Sequence, residues 1–360
     1  MKNLNVIVFA GDGIGPEISA ATLDVVKAAN QKMNLGLNIT EDDVGFAAYE
    51  KHKHTIPDFT LEKARAADGI ILGPCDTYGY PVPAEQGGVN PSSRLRLQLD
   101  LYANMRPSRV IKGVPAFIKE MDLVIARENT EGFYADRNMF MGGGEFMPTP
   151  DVALAVRKVT AASSRRIAVA ACEAAMKRRK QVTIVSKGNV LKLSDGLFLR
   201  EARAVCKDYP QLKVNEVLVD AMASMLVRTP EAYDVICTTN MFGDILSNQA
   251  SELAGGLGLA GSLNAGTDHA MAQASHGSAP DIAGQDKANP CSLMFSTCML
   301  LDWLGERHQQ PKLQEAGNLI DHAIQELLAD PASRTPDLGG KLGTRAFGQA
   351  VTQRFMALAK

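Results

Sequence analysis

The chain has 360 residues, 46% of them apolar, 22% charged and 6% aromatic, enough for about two domains with a sizeable core. Its 38 basic and 40 acidic residues leave a formal charge of −2, a balance that disfavours a polyanionic partner such as nucleic acid. No apolar stretch nears the ~18–20 residues needed to span a bilayer, and the run 6–10 is too short for a signal-peptide core, so a cytoplasmic protein with no membrane partner is expected.

In chain order, a β-branched strand at 5–10 leads into a helix at 16–31. Pro16 occupies the first turn of that helix with Glu17 behind it, and Ile18, Ala21, Val25, Val26 and Ala29 form one stripe. Strands are expected at 69–73 and 122–126, a helix at 151–180, a strand at 181–186 and a helix at 191–209. Strands at 212–220 and 234–238 follow, then helices at 244–253, 289–304 and 344–359. This alternation predicts an α/β protein with a largely parallel sheet. Glycine- and proline-rich segments at 73–91, 142–150, 255–290 and 331–343 are long for plain connections and mark functional loops or disorder. No clean linker separates two halves, so two domains that share the chain by insertion are expected. Cys75, Cys172, Cys206, Cys237, Cys291 and Cys298 show neither a CxxC pair nor zinc-finger spacing and read as reduced thiols.

Several segments carry residues suited to chemistry. Gly11-Asp12-Gly13-Ile14-Gly15-Pro16-Glu17 joins the first strand to the first helix, but its third glycine comes one residue too early for a Rossmann fingerprint. It reads as a nucleotide-adjacent loop or as a tight strand–helix turn. Arg96 and Arg106 flank a leucine-rich segment, and Arg127 closes the 122–126 strand with Tyr134 seven residues on. Arginine among apolar residues needs an anion, and its planar fork suits a carboxylate, either a substrate's or the protein's own. Asp244 and Asn248 share one helix face, and Asp220 ends a strand; such oxygens suit Mg²⁺ or Mn²⁺, although Asp244 is equally a favourable acid at a helix start. Lys187 closes the 181–186 strand and serves as a general base only beside a metal or an apolar wall. In His276-Gly277-Ser278-Ala279-Pro280-Asp281-Ile282-Ala283-Gly284, small residues admit a ligand close to the backbone. Asp281 there either accepts from ribose hydroxyls and repels a 2′-phosphate, or is a solvated turn residue.

Taken in order, seven segments resemble the isocitrate/isopropylmalate dehydrogenase family: GDGIGPE at 11–17, DLYANMRP at 100–107, RENTEGFY at 127–134, VDAM at 219–222, NMFGDILS at 240–247, HGSAPDIAG at 276–284 and DLGGKLGT at 337–344. The resemblance implies two α/β domains around a central cleft and no Rossmann fold. Residues 1–100 with 254–360 would form a nucleotide-binding domain, and 101–253 a substrate, metal and dimerisation domain. It also implies NAD-dependent oxidative decarboxylation of a (2R)-2-hydroxy acid that bears a C3 carboxylate. Arg96, Arg106 and Arg127 would hold the carboxylates, and Asp220, Asp244 and Asn248 a Mg²⁺ or Mn²⁺ ion. Lys187 would take the hydroxyl proton and Tyr134 would return one to C3. Lys187 and Asp220 would come from the second subunit of a homodimer. His276, Gly277, Ser278, Ala279, Asp281, Ile282 and Asn289 would bind the cofactor, with Asp281-Ile282 favouring NAD where NADP-dependent members carry Lys-Tyr.

Two departures refine this. Asn248 stands where the family usually has an aspartate, which predicts weaker metal binding; Glu252, a turn further along, is a substitute ligand. In the loop 89–95, Ser92 and Ser93 replace the leucine pair of isopropylmalate enzymes, and Asn90 with Ser92 has the residue types of the isocitrate enzymes in reverse order. Arg94 adds a cation near the substrate's C3 substituent. The loop therefore implies a polar substituent, of the isocitrate, homoisocitrate, tartrate or malate kind, with 3-isopropylmalate the alternative substrate. A non-catalytic regulatory or ligand-binding subunit is the alternative from another class, because Asn248 dilutes the metal site.

Overall fold

A computed structural model describes residues 3–134, 139 and 143–359. Strand β1 (Leu4–Phe9) turns through the first glycine motif into helix α1 (Gly15–Met33), where Pro16 is tolerated because a first-turn N–H has no helical acceptor. β2 (Leu37–Asp42), α2 (Phe46–His52), α3 (Asp58–Ala66), β3 (Gly69–Leu72) and α4 (Pro91–Gln98) follow. The middle of the chain supplies β4 (Ala103–Arg109), β5 (Asp122–Glu128), β6 (Glu145–Thr149), β7 (Val152–Ala155), α5 (Ala161–Met176), β8 (Gln181–Ser186) and α6 (Ser194–Cys206). It continues with β9 (Lys213–Leu218), α7 (Val219–Arg228), β10 (Val235–Thr238) and α8 (Asn240–Leu253). The last third gives β11 (Leu263–Ala265), β12 (Ala270–Gln273), α9 (Cys291–Arg307), α10 (Pro311–Ala329) and α11 (Thr344–Leu358).

One sheet runs through the molecule in the order β2-β1-β3-β12-β11-β4-β5-β10-β8-β9. The pairs β12–β11, β11–β4 and β4–β5 are antiparallel and every other neighbouring pair is parallel. The largely parallel sheet expected from the alternation is present, with an antiparallel centre. Both faces are covered, which is why the strands read as continuous apolar runs. In β1, Val6 and Val8 pack with Ile18, Val25, Leu300, Ile320 and Phe347 on one face, while Ile7 and Phe9 meet Ile56, Ile70 and Leu95 on the other. In the other half of the sheet, Val124, Ile184 and Cys237 face α5 and α6, while Ile125, Val185 and Ile236 face α7 and α8.

The structure corrects three readings. The segment 151–180 is not one helix: Val152–Ala155 pairs with β6, and α5 begins only at Ala161, where the Thr160 side chain accepts from the Ser163 N–H. Asp220 does not end a strand but lies in the first turn of α7, where the helix dipole favours an acid. Helix α8 starts four residues before Asp244, so Asp244 is a mid-helix residue rather than an N-terminal one. The 311–329 helix was not anticipated, nor was β4, whose Ala103–Arg109 span covers most of the DLYANMRP motif.

The β6–β7 hairpin stands apart as a two-stranded sheet that is solvent-exposed along its whole length, Phe146, Met147 and Leu154 included. Among the described residues, no helix is long and apolar enough to cross a membrane.

Candidate active site

Two arginines meet one carboxylate where β4 and β5 face α8, and a third acts on it from α4. Arg127, on β5, donates through Nη1 to Asp244 Oδ1 at 2.6 Å and through Nε and Nη2 to Asn240 Oδ1 at 3.0 and 2.7 Å. Arg106, on β4, donates through Nη1 to Asp244 Oδ1 at 3.0 Å, to Ser247 Oγ at 2.9 Å and to Asn248 Oδ1 at 3.5 Å. Both arginines are buried, so their charges depend on these partners. Burial works against the Asp244 carboxylate, yet Arg127, Arg106 and Arg96 together hold it below the ordinary aspartate value. Burial likewise pulls the Arg106 guanidinium down, opposed by Asp244 and by Tyr134, which places the phenol within electrostatic range of Arg106.

The RENTEGFY segment builds the turn that presents this end of β5. The Glu128 carboxylate accepts from the Thr130 and Glu131 N–H groups at 2.8 and 2.9 Å, and burial raises its carboxyl against those bonds. Glu131 in turn accepts from the Thr160 N–H and hydroxyl at the start of α5. These two acids are scaffold.

Lys187, just past β8, donates to Asp220 Oδ1 at 2.7 Å, and that bond with Lys187 above all holds the Asp220 carboxyl below its usual value. The Lys187 backbone N–H donates to Asp195, a fully buried acid that also pairs with Arg157. Around this pair Val190, Leu193 and Val227 are exposed, as is Ile245 beside Asp244. Among the described residues, no three acidic, histidine or cysteine side chains of one chain converge as metal ligands.

The polar groups of the loop 89–95 are largely engaged within the protein. Asn90 caps α4, its side chain accepting from the Ser93 N–H at 3.2 Å. Ser92 and Arg96 both donate to Gln273 Oε1 at 2.9 Å. Arg94 donates to Asp58 and, at 2.6 Å, to the Ile56 carbonyl, and lies 3.4 Å from His54. Its charge is engaged at the outer side of α4.

The first and sixth motifs touch. The Ile14 N–H donates to the Ser278 carbonyl at 2.8 Å, and Gly13, at φ +58°, leaves no room for a side chain: a Cβ would lie 2.0 Å from that oxygen. Asp12 is buried and accepts from the Phe46 and Asp76 N–H groups and the Tyr80 hydroxyl at 2.8, 2.9 and 2.8 Å. Of the two readings of the GDGIGPE loop, its own bonds show the tight strand–helix turn. His276 Nδ1 lies 3.0 Å from the Gly277 carbonyl, and its Nε2 is a buried atom without a partner among the described residues. Burial lowers the pKa of this imidazole, and the Gly277 carbonyl against Nδ1 makes that nitrogen the donor, which leaves Nε2 the acceptor in the neutral ring. Asp281 is exposed on a short 3₁₀ turn with Ile282 beside it, while Asn289 is buried and bonded to Asp337 at 2.9 Å.

The isocitrate/isopropylmalate dehydrogenase family model matches residues 5–351. The chain belongs to that family. It is 39% identical to the 3-isopropylmalate dehydrogenase of Methanothermobacter thermautotrophicus, over 96% of each chain. It is equally 39% identical to the isocitrate/homoisocitrate dehydrogenase of Thermus thermophilus, over 98% of this chain and 99% of that one. Among solved structures, the isocitrate dehydrogenase of Methylococcus capsulatus matches with a TM-score of 0.86 at 36% identity, over 98% of this chain and 99% of that one. The protein is thus a dehydrogenase acting on a hydroxy acid, and its fold is that of this family.

Sequence reasoning assigned this dehydrogenase its three arginines, Asp244 and Lys187 but left Asn240, Gly243, Asn104 and Gln273 without roles. Asn240 and Gly243 lie inside the NMFGDILS motif, which was signal enough to look. Gln273 had none: it stands 177 residues from Arg96 in the chain.

Proposed function

We propose that this protein catalyses NAD-dependent oxidative decarboxylation of a (2R)-2-hydroxy acid with a C3 carboxylate and a polar C3 substituent, as a homodimer with a divalent cation. The convergence of the buried Arg106 and Arg127 on Asp244, with Arg96 acting on the same carboxylate, carries the reading, because guanidinium forks suit a carboxylate-rich substrate. The division into a discontinuous nucleotide domain (1–100 and 254–360) and an inserted substrate domain (101–253) belongs to the same reading.

The donor set fits a Mg²⁺ or Mn²⁺ ion. Both arginines donate to Asp244 Oδ1, so Oδ2 has no hydrogen-bond partner among the described residues, and Asn248 offers an amide oxygen on the same face. Lys187 and Asp220 are held together and would reach the site as a pair from the partner, so the partner's Asp220 would complete the set. The exposed β6–β7 hairpin, with Val190, Leu193, Val227 and Ile245, supplies the apolar surface that such a dimer would bury. For the nucleotide, the orphaned His276 Nε2 fits a base donor, the exposed Asp281 fits ribose hydroxyls, and Gly277, Ser278, Ala279, Ile282 and Asn289 would line the approach.

When bound, the cation supplies Lewis acidity and NAD⁺ a hydride acceptor. The chain's own residues do the rest. Arg96, Arg106 and Arg127 orient the carboxylates, so that the C2 hydroxyl faces the partner's Lys187, which removes its proton as general base. Oxidation at C2 makes the C3 carboxylate β to a ketone, and CO₂ leaves. Tyr134, beside Arg106, then delivers a proton to C3 as general acid.

NADH formation by the purified protein with Mn²⁺ and NAD⁺, over a panel of isocitrate, homoisocitrate, tartrate, malate and 3-isopropylmalate, tests the reading. Turnover is expected with at least one of the first four; turnover with 3-isopropylmalate alone would overturn the polar-substituent assignment. No turnover with any acid would overturn the enzyme reading for a chain that still binds NAD⁺. For the cofactor, Asp281→Lys is expected to lower the NAD⁺ over NADP⁺ preference by about 10- to 100-fold, the worth of a charge-assisted hydrogen bond. An unchanged ratio of kcat/KM values refutes the role given to Asp281.

A further inference from the structure

Gln273 ends β12 and is buried, and no role follows for it from the reaction proposed above. Its Oε1 accepts from three donors on two elements: Ser92 Oγ at 2.9 Å and Arg96 Nη2 at 2.9 Å on α4, and Asn264 Nδ2 at 3.4 Å on β11. Three converging donors fix which end of the carboxamide is oxygen. The contacts continue inward. Asn264 Oδ1 accepts from Asn129 Nδ2 at 3.1 Å, two residues beyond Arg127. The Gln273 backbone N–H donates to the Ser262 carbonyl at 3.1 Å, and Ser262 Oγ accepts from Asn104 Nδ2 at 2.8 Å. Asn104 Oδ1 in turn accepts from Arg106 Nε at 2.6 Å. Arg96 and Arg106 are thereby tied through buried amides and hydroxyls to one strand end, and the end of β5 that carries Arg127 is tied to it through Asn129.

We propose that Gln273 is a positioning residue for the acid substrate, holding Arg96 and Ser92 of α4 in register with Arg106 and Arg127 through an uncharged acceptor. This rests on the function proposed above and deepens it. The neutrality matters chemically. Asp244 bonds Arg106 and Arg127 directly and acts on Arg96 through its field, whereas the amide oxygen of Gln273 holds Arg96 in place without adding a second negative charge beside it. No further carboxylate is thereby set against the substrate's at Arg96, and Ser92 is oriented beside it. A buried amide is suited to this because its acceptor is lost if either α4 or β12 shifts, so the two move as one.

Steady-state kinetics of the dimer with Mn²⁺, NAD⁺ and the best acid of the panel test the proposal. Gln273→Met keeps the length and removes the acceptor. It is expected to raise KM for the acid about tenfold or more, while kcat stays within about threefold and KM for NAD⁺ is unchanged. Gln273→Glu keeps the acceptor and adds a charge. It is expected to melt at or above the wild-type temperature and still raise KM for the acid; a wild-type KM would overturn the argument from neutrality. An unchanged KM in Gln273→Met, or equal losses in kcat, NAD⁺ affinity and thermal stability, would overturn the positioning role. Calorimetric titration of citrate and tartrate into the Mn²⁺-loaded dimer reads affinity without turnover. Carboxylate binding without NADH formation by the wild type refutes the proposed function, and the titration then decides on Gln273: weakening of about tenfold in Gln273→Met supports it and equal binding overturns it. A wild type that binds no carboxylate overturns both.

Discussion

Lys187→Ala is expected to lower kcat by about 10²–10⁴, the usual contribution of a general base, with the protein still folded. Folding should survive because the Lys187 ammonium is partly exposed and bonds only the exposed Asp220, while the buried Asp195 holds the backbone at this point. Asp244→Asn should be similarly inactive, since it removes the carboxylate on which Arg106 and Arg127 converge. The telling result is the mixture. If Lys187 acts across the interface, a hybrid dimer of the two variants has one site with an intact Asp244 and an intact Lys187 from its partner. Random mixing after dissociation should then recover about a quarter of wild-type activity, because about half the dimers are hybrids and each has one good site. If the lysine serves its own chain, every site in the mixture lacks one group, and no activity returns. Native mass spectrometry, which separates the hybrid from both parent dimers by mass, confirms that subunits exchanged.

Gly243→Ala is the second change with a large expected effect. In the interior of a helix, alanine for glycine normally stabilises by roughly 0.5–1 kcal/mol, so propensity alone predicts a gain. Here the added methyl would lie 2.7 Å from both Cβ and Cγ of Arg127 and 3.2 Å from Thr238 Cγ2. Those are side-chain stem atoms fixed by β5 and β10, and Arg127 cannot move without losing Asn240 and Asp244. A displacement near 1 Å at a substrate-orienting group costs on the order of 10² in rate. Gly243→Ala should therefore lower kcat/KM for the acid about 100-fold, with KM for NAD⁺ little affected. Kinetics indistinguishable from wild type would show that Arg127 tolerates the shift and is not part of the clamp.

Much of the fold could be read from local pattern. The strands at β1, β3, β5, β8 and β10 are buried on both faces, so their apolar runs are continuous and bounded by turn residues. The segments that escaped are those where pattern and environment diverge. β4 carries Asn104 and Arg106, both buried, because their partners come from α8 and β11 rather than from neighbours in the chain. The β6–β7 hairpin reads as neither strand nor core, since it lies outside the main sheet with apolar groups on an exposed ribbon. Asp220 looked like the end of a strand because the apolar Val217-Leu218-Val219 stretch crosses directly from β9 into α7, with no polar cap residue to mark the change.

The sequence by itself determined the family, the residue types of the site and the chemistry those types permit, since all of these reside in short motifs whose side chains are local. What only the tertiary structure decided is which groups meet. Arg106 and Arg127 share one oxygen of Asp244, Arg94 turns to Asp58, Lys187 turns to Asp220, and Gln273 gathers Ser92 and Arg96. The reason is physical. A buried charge or amide is stable only where its partners complete it, and those partners come from strands and helices far apart in the chain.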